Sequence, residues 1–115
     1  MAQLTKKLLD LLNENDFTVC STDKQNGEFV SEVETFSPLG EDVLITIWHN
    51  NTNRSFIDAF WRYAFDYDAD EHAEFWIEHR EGNGVPKSCR ALIDDADAIG
   101  EMLLAMAEKL MKIRR

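Results

Sequence analysis

Apolar residues recur at helical spacing near both ends of the chain. At the start, Leu4, Leu8, Leu11 and Leu12 share one helical face, and the polar residues 13–16 end that helix. Near the other end, apolar side chains alternate steps of four and three over about three heptads, which predicts one long helix with a single apolar seam. This seam consists of Leu92, Ala96, Ile99, Leu103, Met106, Leu110 and Ile113.

Three stretches that follow the first helix have the patterns of β-strands. Residues 17–22 form the first, and Asn26-Gly27 then predicts a hairpin turn because both residues tolerate a positive φ. Residues 28–36 form the second, with apolar and acidic side chains on opposite faces. The third, 43–48, is apolar on both faces, which is unusual at the edge of a sheet. Either helices cover both faces of this strand, or the strand pairs with a second copy of the protein.

The central stretch 54–80 carries most of the aromatic side chains. Phe56, Phe60, Tyr63 and Tyr67 lie on one helical stripe, and an adjacent stripe is also apolar. A helix that is apolar over so much of its circumference should be largely buried. We therefore expect these aromatic residues to form the core, with a recognition surface as the alternative. The second stripe consists of Ile57, Trp61 and Phe65.

Polar residues in the same stretch predict the helix boundaries. Ser55 and Asp58 have the spacing of a capping pair at the start of the first central helix. Asp70 is the expected N-cap of a second helix, and Gly82 is its expected C-terminal stop.

The order of elements is one helix, three strands and three helices, which predicts an α+β fold. We expect a three-stranded antiparallel meander with an N-terminal helix and three C-terminal helices packed on it, in a single domain covering 1–115. The seam of the last helix can pack on the protein's own sheet or against a second copy. In the second case, the oligomer contact would consist of Ile99, Leu103, Met106 and Leu110.

Charge is the most unusual property of the composition. The 22 acidic and 12 basic side chains give a formal net charge of −10. Direct binding to nucleic acid or to an anionic membrane is not expected, because both require clustered Lys and Arg. No apolar run approaches the roughly 18 residues of a membrane span, and the N-terminus lacks the pattern of a secretion signal. Cys20 and Cys89 lie far apart without a CxxC motif, so we expect reduced thiols and a cytoplasmic protein.

Candidate metal and catalytic motifs are incomplete. The run Asp66, Asp68, Asp70 opens like a calcium-binding loop, but Glu71 stands where glycine is needed and Ile77 where a bidentate carboxylate is needed. The sequence contains no phosphate-binding glycine loop and no nucleophile motif. We therefore expect no metal, no cofactor and no catalytic residue, and we favour a non-enzymatic function.

Two alternatives stay open beside a protein-binding function. A pocket between sheet and helices, near His72, His79 and Cys89, would suit a small-molecule-binding protein or a minor enzyme. His72 and Glu74 match the start of a zinc-deaminase motif, but two closely spaced cysteines should follow and only Cys89 does. The third possibility is a structural subunit of a homo-oligomer.

The acidic residues of the central stretch are the leading candidate for a binding site. Carboxylates at suitable spacing can imitate the phosphate charges of a nucleic acid and occupy the basic groove of a nucleic-acid-handling protein. Solubility alone is the competing explanation for the acidity. We expect a protein-binding, inhibitory or regulatory module that acts as a homodimer, with Trp76 as an aromatic anchor. The predicted acidic face consists of Asp66, Asp68, Asp70, Glu71, Glu74 and Glu78.

Four segments resemble a group of short acidic proteins of gut-dwelling Firmicutes, which mobile elements often carry. The group has no established activity to transfer to any residue. The resemblance implies a bacterial source and a small accessory role, such as inhibition of host defence or regulation. The segments are Gly40-Glu41-Asp42-Val43, Phe56-Ile57 with Ala59-Phe60, Asp70-Glu71-His72-Ala73-Glu74, and Gly84-Val85-Pro86.

Overall fold

A computed structural model describes residues 4–79 and 89–114, except for the side chains of 76–79 and 89. The three strands form one antiparallel sheet in the order β1-β2-β3. The predicted α+β fold is confirmed, with one helix before the sheet and three after it. In chain order, the elements are α1 (Lys6–Glu14), β1 (Thr18–Gln25), β2 (Glu28–Phe36), β3 (Asp42–His49), α2 (Asn53–Asp66), α3 (Ala69–His79) and α4 (Cys89–Lys112).

The hairpin between β1 and β2 turns at the predicted residues. Asn26 and Gly27 have φ values of 50° and 84°, in the left-handed region that such a turn requires. The pairing of β1 with β2 is irregular between Val19 and Ser21, and β1 extends to Gln25, beyond its predicted end. Apart from this irregularity, side chains along each strand alternate between the face that packs on the helices and the opposite face.

One face of the sheet packs with α1, α2 and α4 into a common core. Phe56, Ile57 and Phe60 are fully buried there, and the ring of Phe60 meets Phe17 edge-on with centroids 5.9 Å apart. The predicted burial is therefore right for these residues. It is wrong for Phe65, which is 69% exposed because the far side of α2 faces solvent.

The seam of α4 is buried inside the chain. Ile99, Leu103 and Leu110 are 0% exposed and Met106 is 2% exposed. All four belong to the same core cluster as the inner face of the sheet, and α4 packs beside α2 and α3. Their assignment to an oligomer contact is corrected accordingly, because the protein's own elements already cover them.

The opposite face of the sheet is not covered by any helix that the structure describes. Along β3, buried and exposed residues alternate strictly. Leu44 is 57% exposed and Trp48 is 48% exposed on this open face. Helices on both faces of β3 were one expected arrangement, and within the described chain that arrangement is wrong.

The helix α2 begins earlier than predicted. Its N-cap is Thr52, whose hydroxyl accepts a hydrogen bond of 3.0 Å from the amide of Ser55. The hydroxyl of Ser55 accepts instead from the amide of Asn50, at 2.9 Å. Asp58 does not serve as the second half of a capping pair, because Arg114 binds its carboxylate.

The cap of α3 also differs from the prediction. Asp68 accepts a hydrogen bond of 3.1 Å from the amide of Glu71 and so caps the helix, two residues before the predicted Asp70. The predicted stop at Gly82 lies outside the described residues.

Candidate functional site

A groove runs along the outer edge of β3, between this strand and α2. Because β3 is the last strand of the sheet, its outer backbone edge is not paired with any described strand. Two runs of three consecutive β3 residues, 42–44 and 46–48, line the groove. Since neighbouring side chains of a strand point to opposite faces, such runs show that the strand's edge forms the wall.

One end of this groove is acidic, and we call it the acidic groove. It has a volume of about 500 Å³. Its walls come from the start of β3, the end of α2 and the first turns of α3, which meet because α2 runs back along β3. The residues that define it are the four carboxylates Asp42, Asp66, Asp68 and Glu71, together with Val43, Leu44, Tyr63, Tyr67, His72 and Phe75.

The structure brings together only part of the predicted acidic face. Asp66, Asp68 and Glu71 line the acidic groove. Asp70 and Glu74 are exposed on α3 but do not line it. The side chains of Glu78 and Trp76 lie outside the described residues, so the predicted aromatic anchor is not placed.

Asp42 is a groove residue that the sequence interpretation missed. It begins β3, far in sequence from the other three carboxylates, and enters the site because the groove follows the edge of this strand. A hydrogen bond to Asp42 and the negative charge of Asp42 raise the pKa of the neighbouring Glu34 carboxyl. Negative charge is therefore crowded where β3 begins, and a bound cation would relieve this crowding.

Tyr67 and His72 form a polar pair in the wall of the acidic groove. The Tyr67 hydroxyl lies 2.5 Å from Nδ1 of His72, and the two rings meet edge-on. Burial lowers the pKa of His72, and burial also raises the pKa of Tyr67. The imidazole is therefore neutral and the phenol protonated near neutral pH, which makes the pair a stable hydrogen-bonded support of the wall.

A buried carboxylate lies behind this pair. Asp95 of α4 is 2% exposed, and its Oδ1 accepts a hydrogen bond of 3.0 Å from the amide of Leu39. Its negative charge opposes the lowering of the His72 pKa by burial and adds to the raising of the Tyr67 pKa. Asp95 thus links the turn before β3 to the helices that form the groove. No sequence pattern singled out Asp95, because its contact joins residues that are 56 positions apart in the chain.

Exposed apolar side chains flank the carboxylates. Leu44 projects from the open face of β3, and Phe75 projects from α3 with 56% of its surface exposed. Both line the acidic groove. A surface that combines apolar side chains with carboxylates suits a protein segment that carries both apolar and basic side chains.

Of the predicted pocket of His72, His79 and Cys89, the structure places the side chain of His72. His72 lines the acidic groove, whereas the side chains of His79 and Cys89 lie outside the described residues. Among the side chains that the structure describes, no group of three or more His, Cys, Asp or Glu residues is placed to hold a metal ion.

The opposite end of the groove is basic, and we call it the arginine groove. Arg54 and Arg62 line it together with Trp48 at the end of β3. Asp58 also lines it, but the guanidinium of Arg114 binds this carboxylate, with one contact of 2.9 Å, and lowers its pKa. The charges of Arg54 and Arg62 therefore dominate this end.

No protein-family model, curated protein or solved structure matches the chain. Within the described residues, no helix is both long and apolar enough to cross a membrane.

Proposed function

We propose that this protein binds another protein and that the acidic groove receives a basic segment of the partner. One observation carries the proposal: carboxylates from three elements, β3, α2 and the start of α3, border a single groove along a strand edge. Residues that are distant in sequence thus form one negative surface. Solubility requires only that charges be dispersed over a surface, and it does not require this convergence.

The chemistry of the groove favours binding over catalysis. Tyr67 and His72 are a half-buried titratable pair in the wall of the groove, and burial keeps both in their neutral forms. Their mutual hydrogen bond supports the wall of the groove rather than presenting a reactive group. The carboxylates Asp66 and Glu71 are exposed, as is usual for charges that meet a partner in a salt-dependent association.

The partner that fits best is a protein with Lys and Arg side chains next to apolar residues. The ammonium and guanidinium groups would contact the carboxylates, and the apolar residues would cover Leu44 and Phe75. A nucleic-acid-handling protein with a basic groove has these properties, so the proposal includes mimicry of nucleic-acid charge. Direct binding to nucleic acid or to membranes is not part of it, given the net charge of −10.

We place this activity in the cytoplasm of a bacterium, as a small accessory or inhibitory protein. The exposed free thiol of Cys20 supports a reducing environment.

The test is a comparative affinity capture from nuclease-treated bacterial lysate. The bait is the full chain, and the groove variant Asp42→Asn/Asp66→Asn/Glu71→Gln is its comparison. A control variant, Asp23→Asn/Glu101→Gln/Glu108→Gln, removes the same number of charges at exposed positions away from the groove. A partner retained by the wild type and the control, but lost by the groove variant, supports the proposal. A partner retained equally by all three would refute it.

A further inference from the structure

The edge of β3 is a candidate interaction surface in its own right. The strand is eight residues long, and among the described strands it pairs only with β2. Natural edge strands are usually shielded by Lys, Pro, bulges or covering elements. β3 contains neither Lys nor Pro, and its only acidic or basic residue other than His49 is Asp42 at its start. Its open face carries the exposed side chains of Leu44 and Trp48.

Opposite charges occupy the two ends of the groove beside this edge. Asp42 and Asp66 lie where β3 begins. Arg54 and Arg62 lie where β3 ends. A central section with a volume of about 390 Å³ connects the two ends, and Thr46, Asp66 and Arg62 all line it. Asp42 and Arg54 line only the outer ends. A chain that runs antiparallel to β3 would therefore meet negative charge at one of its ends and positive charge at the other.

We infer that β3 of a second copy of this chain pairs antiparallel with β3, which joins two three-stranded sheets into one sheet across a two-fold axis. The inference does not rest on the proposed binding of a basic partner. Because both occupants would contact Asp42, Asp66 and Leu44, the second copy and the basic partner compete for the same groove.

The register follows from the alternation of faces along β3. In an antiparallel pair, two residues that lie directly opposite each other project their side chains to the same face of the sheet. The two-fold axis must therefore lie where one residue of β3 is opposite the same residue of the second copy, and not between two consecutive residues. With the axis at Thr46, Leu44 of each copy lies opposite Trp48 of the other on the open face. The two large exposed apolar side chains of the strand thus cover each other, in two contacts related by the two-fold axis.

The same symmetry matches the charges. The start of each β3 lies beside the end of the other, so Asp42 and Asp66 of one copy approach Arg54 and Arg62 of the other. This contact also occurs twice. A second copy therefore satisfies the apolar and the charged requirements of the groove together. The net charge of −10 on each copy opposes association, but salt screens charges that are more than about 8 Å apart at physiological ionic strength.

Charge-swapped variants test the pairing by sedimentation velocity over a dilution series. In Arg54→Glu/Arg62→Glu both ends of the groove are acidic. In Asp42→Lys/Asp66→Lys the two carboxylates that would face the arginines of the other copy become cations, while Asp68 and Glu71 remain. We expect the wild type to be a dimer and each variant alone to dissociate with a dissociation constant at least about tenfold higher. An equimolar mixture of the two variants should form a heterodimer. Lys7→Glu/Lys24→Glu, with the same change of net charge as the first variant, should stay dimeric.

A cysteine at the axis provides a second measurement that needs no change of charge. In a background without the native cysteines, Thr46→Cys should cross-link two full chains under oxidation, because Thr46 faces itself across the axis. Asp23→Cys, on the outer strand β1, should not. Circular dichroism verifies that every variant is folded.

A monomeric wild type overturns the inference. Dimers of both charge-swapped variants with the wild-type dissociation constant would also overturn it, and so would an equimolar mixture of the two variants that stays monomeric. Failure of the proposed partner binding would look different, because it would leave the wild-type dimer and its cross-link unchanged.

Discussion

The hydroxyl of Tyr67 lies 2.5 Å from Nδ1 of His72 and joins the end of α2 to the first turns of α3. Asp66 and Asp68 flank Tyr67 in the sequence, and both line the acidic groove. The contact therefore holds the corner of the chain from which these two carboxylates project. The shape of the proposed binding site depends on a hydrogen bond between residues that carry no charge at neutral pH.

Removal of this hydrogen bond should loosen the corner. We expect Tyr67→Phe to lower the free energy of unfolding by about 0.5–1.5 kcal/mol, the usual net contribution of one hydrogen bond. Tyr63→Phe is the matched control, since Tyr63 is a half-buried tyrosine in the same groove. Chemical denaturation measures both variants, and equal losses of stability in the two would contradict the assigned role of the Tyr67 hydroxyl.

Asp68 has two roles that substitutions can separate. It caps α3 through the amide of Glu71 and contributes charge to the acidic groove. Asp68→Asn keeps a good N-cap and removes the charge, so it should weaken partner binding with little loss of stability. Asp68→Ala should weaken binding and also cost about 0.5–2 kcal/mol of stability. Parallel measurements of unfolding and binding test this, and an Asp68→Asn variant that binds like the wild type would remove Asp68 from the site.

Two histidines should make the protein sensitive to mild acid. Burial lowers the pKa of both His49 and His72 below the ordinary value of 6.5. The unfolded chain therefore takes up these protons first, and the stability that each neutral imidazole contributes is complete above pH 6.5 and lost as the pH falls below it. Wild type and His72→Gln should thus differ less in free energy of unfolding at pH 5 than at pH 8, roughly the range over which histidines titrate.

Unfolding curves at both pH values measure this difference, and comparison at equal pH cancels the protonation of the many carboxylates. A difference between wild type and variant that grows toward low pH would contradict the direction assigned to the pKa of His72.

Phe60 and Phe65 of α2 should differ sharply in their contribution to stability. Phe60 is fully buried, so Phe60→Ala should cost about 3–5 kcal/mol through lost burial and the cavity left behind. Phe65 is 69% exposed, so Phe65→Ala should change stability by no more than about 0.5 kcal/mol. Chemical denaturation compares the two. Similar losses would show that Phe65 packs against the protein.

The sequence predicted the elements well because hydrophobic periodicity is a local property. The Asn26-Gly27 hairpin and the long apolar seam of α4 occur where the spacing placed them. Helix starts were less accurate, since several polar residues compete for each cap. Thr52 and Asp68 took the positions that had been assigned to Ser55 and Asp70.

The candidate site was predictable only in part. Asp66, Asp68 and Glu71 lie close together in sequence, so their charge cluster was visible from the local sequence alone. Asp42 joins them through the antiparallel course of β3 and α2, which no local pattern encodes. Phe65 was misjudged for a similar reason, because its helical spacing does not reveal which side of α2 the sheet covers.

The central claim is that the acidic groove binds the partner, and isothermal titration with the captured, purified partner tests it most directly. The groove variant Asp42→Asn/Asp66→Asn/Glu71→Gln should bind at least about tenfold more weakly than wild type, because it lacks three of the carboxylates that the partner would contact. The control Asp23→Asn/Glu101→Gln/Glu108→Gln should bind like the wild type. If the two variants bind with the same affinity, the partner responds to net charge alone and the acidic groove is not its site.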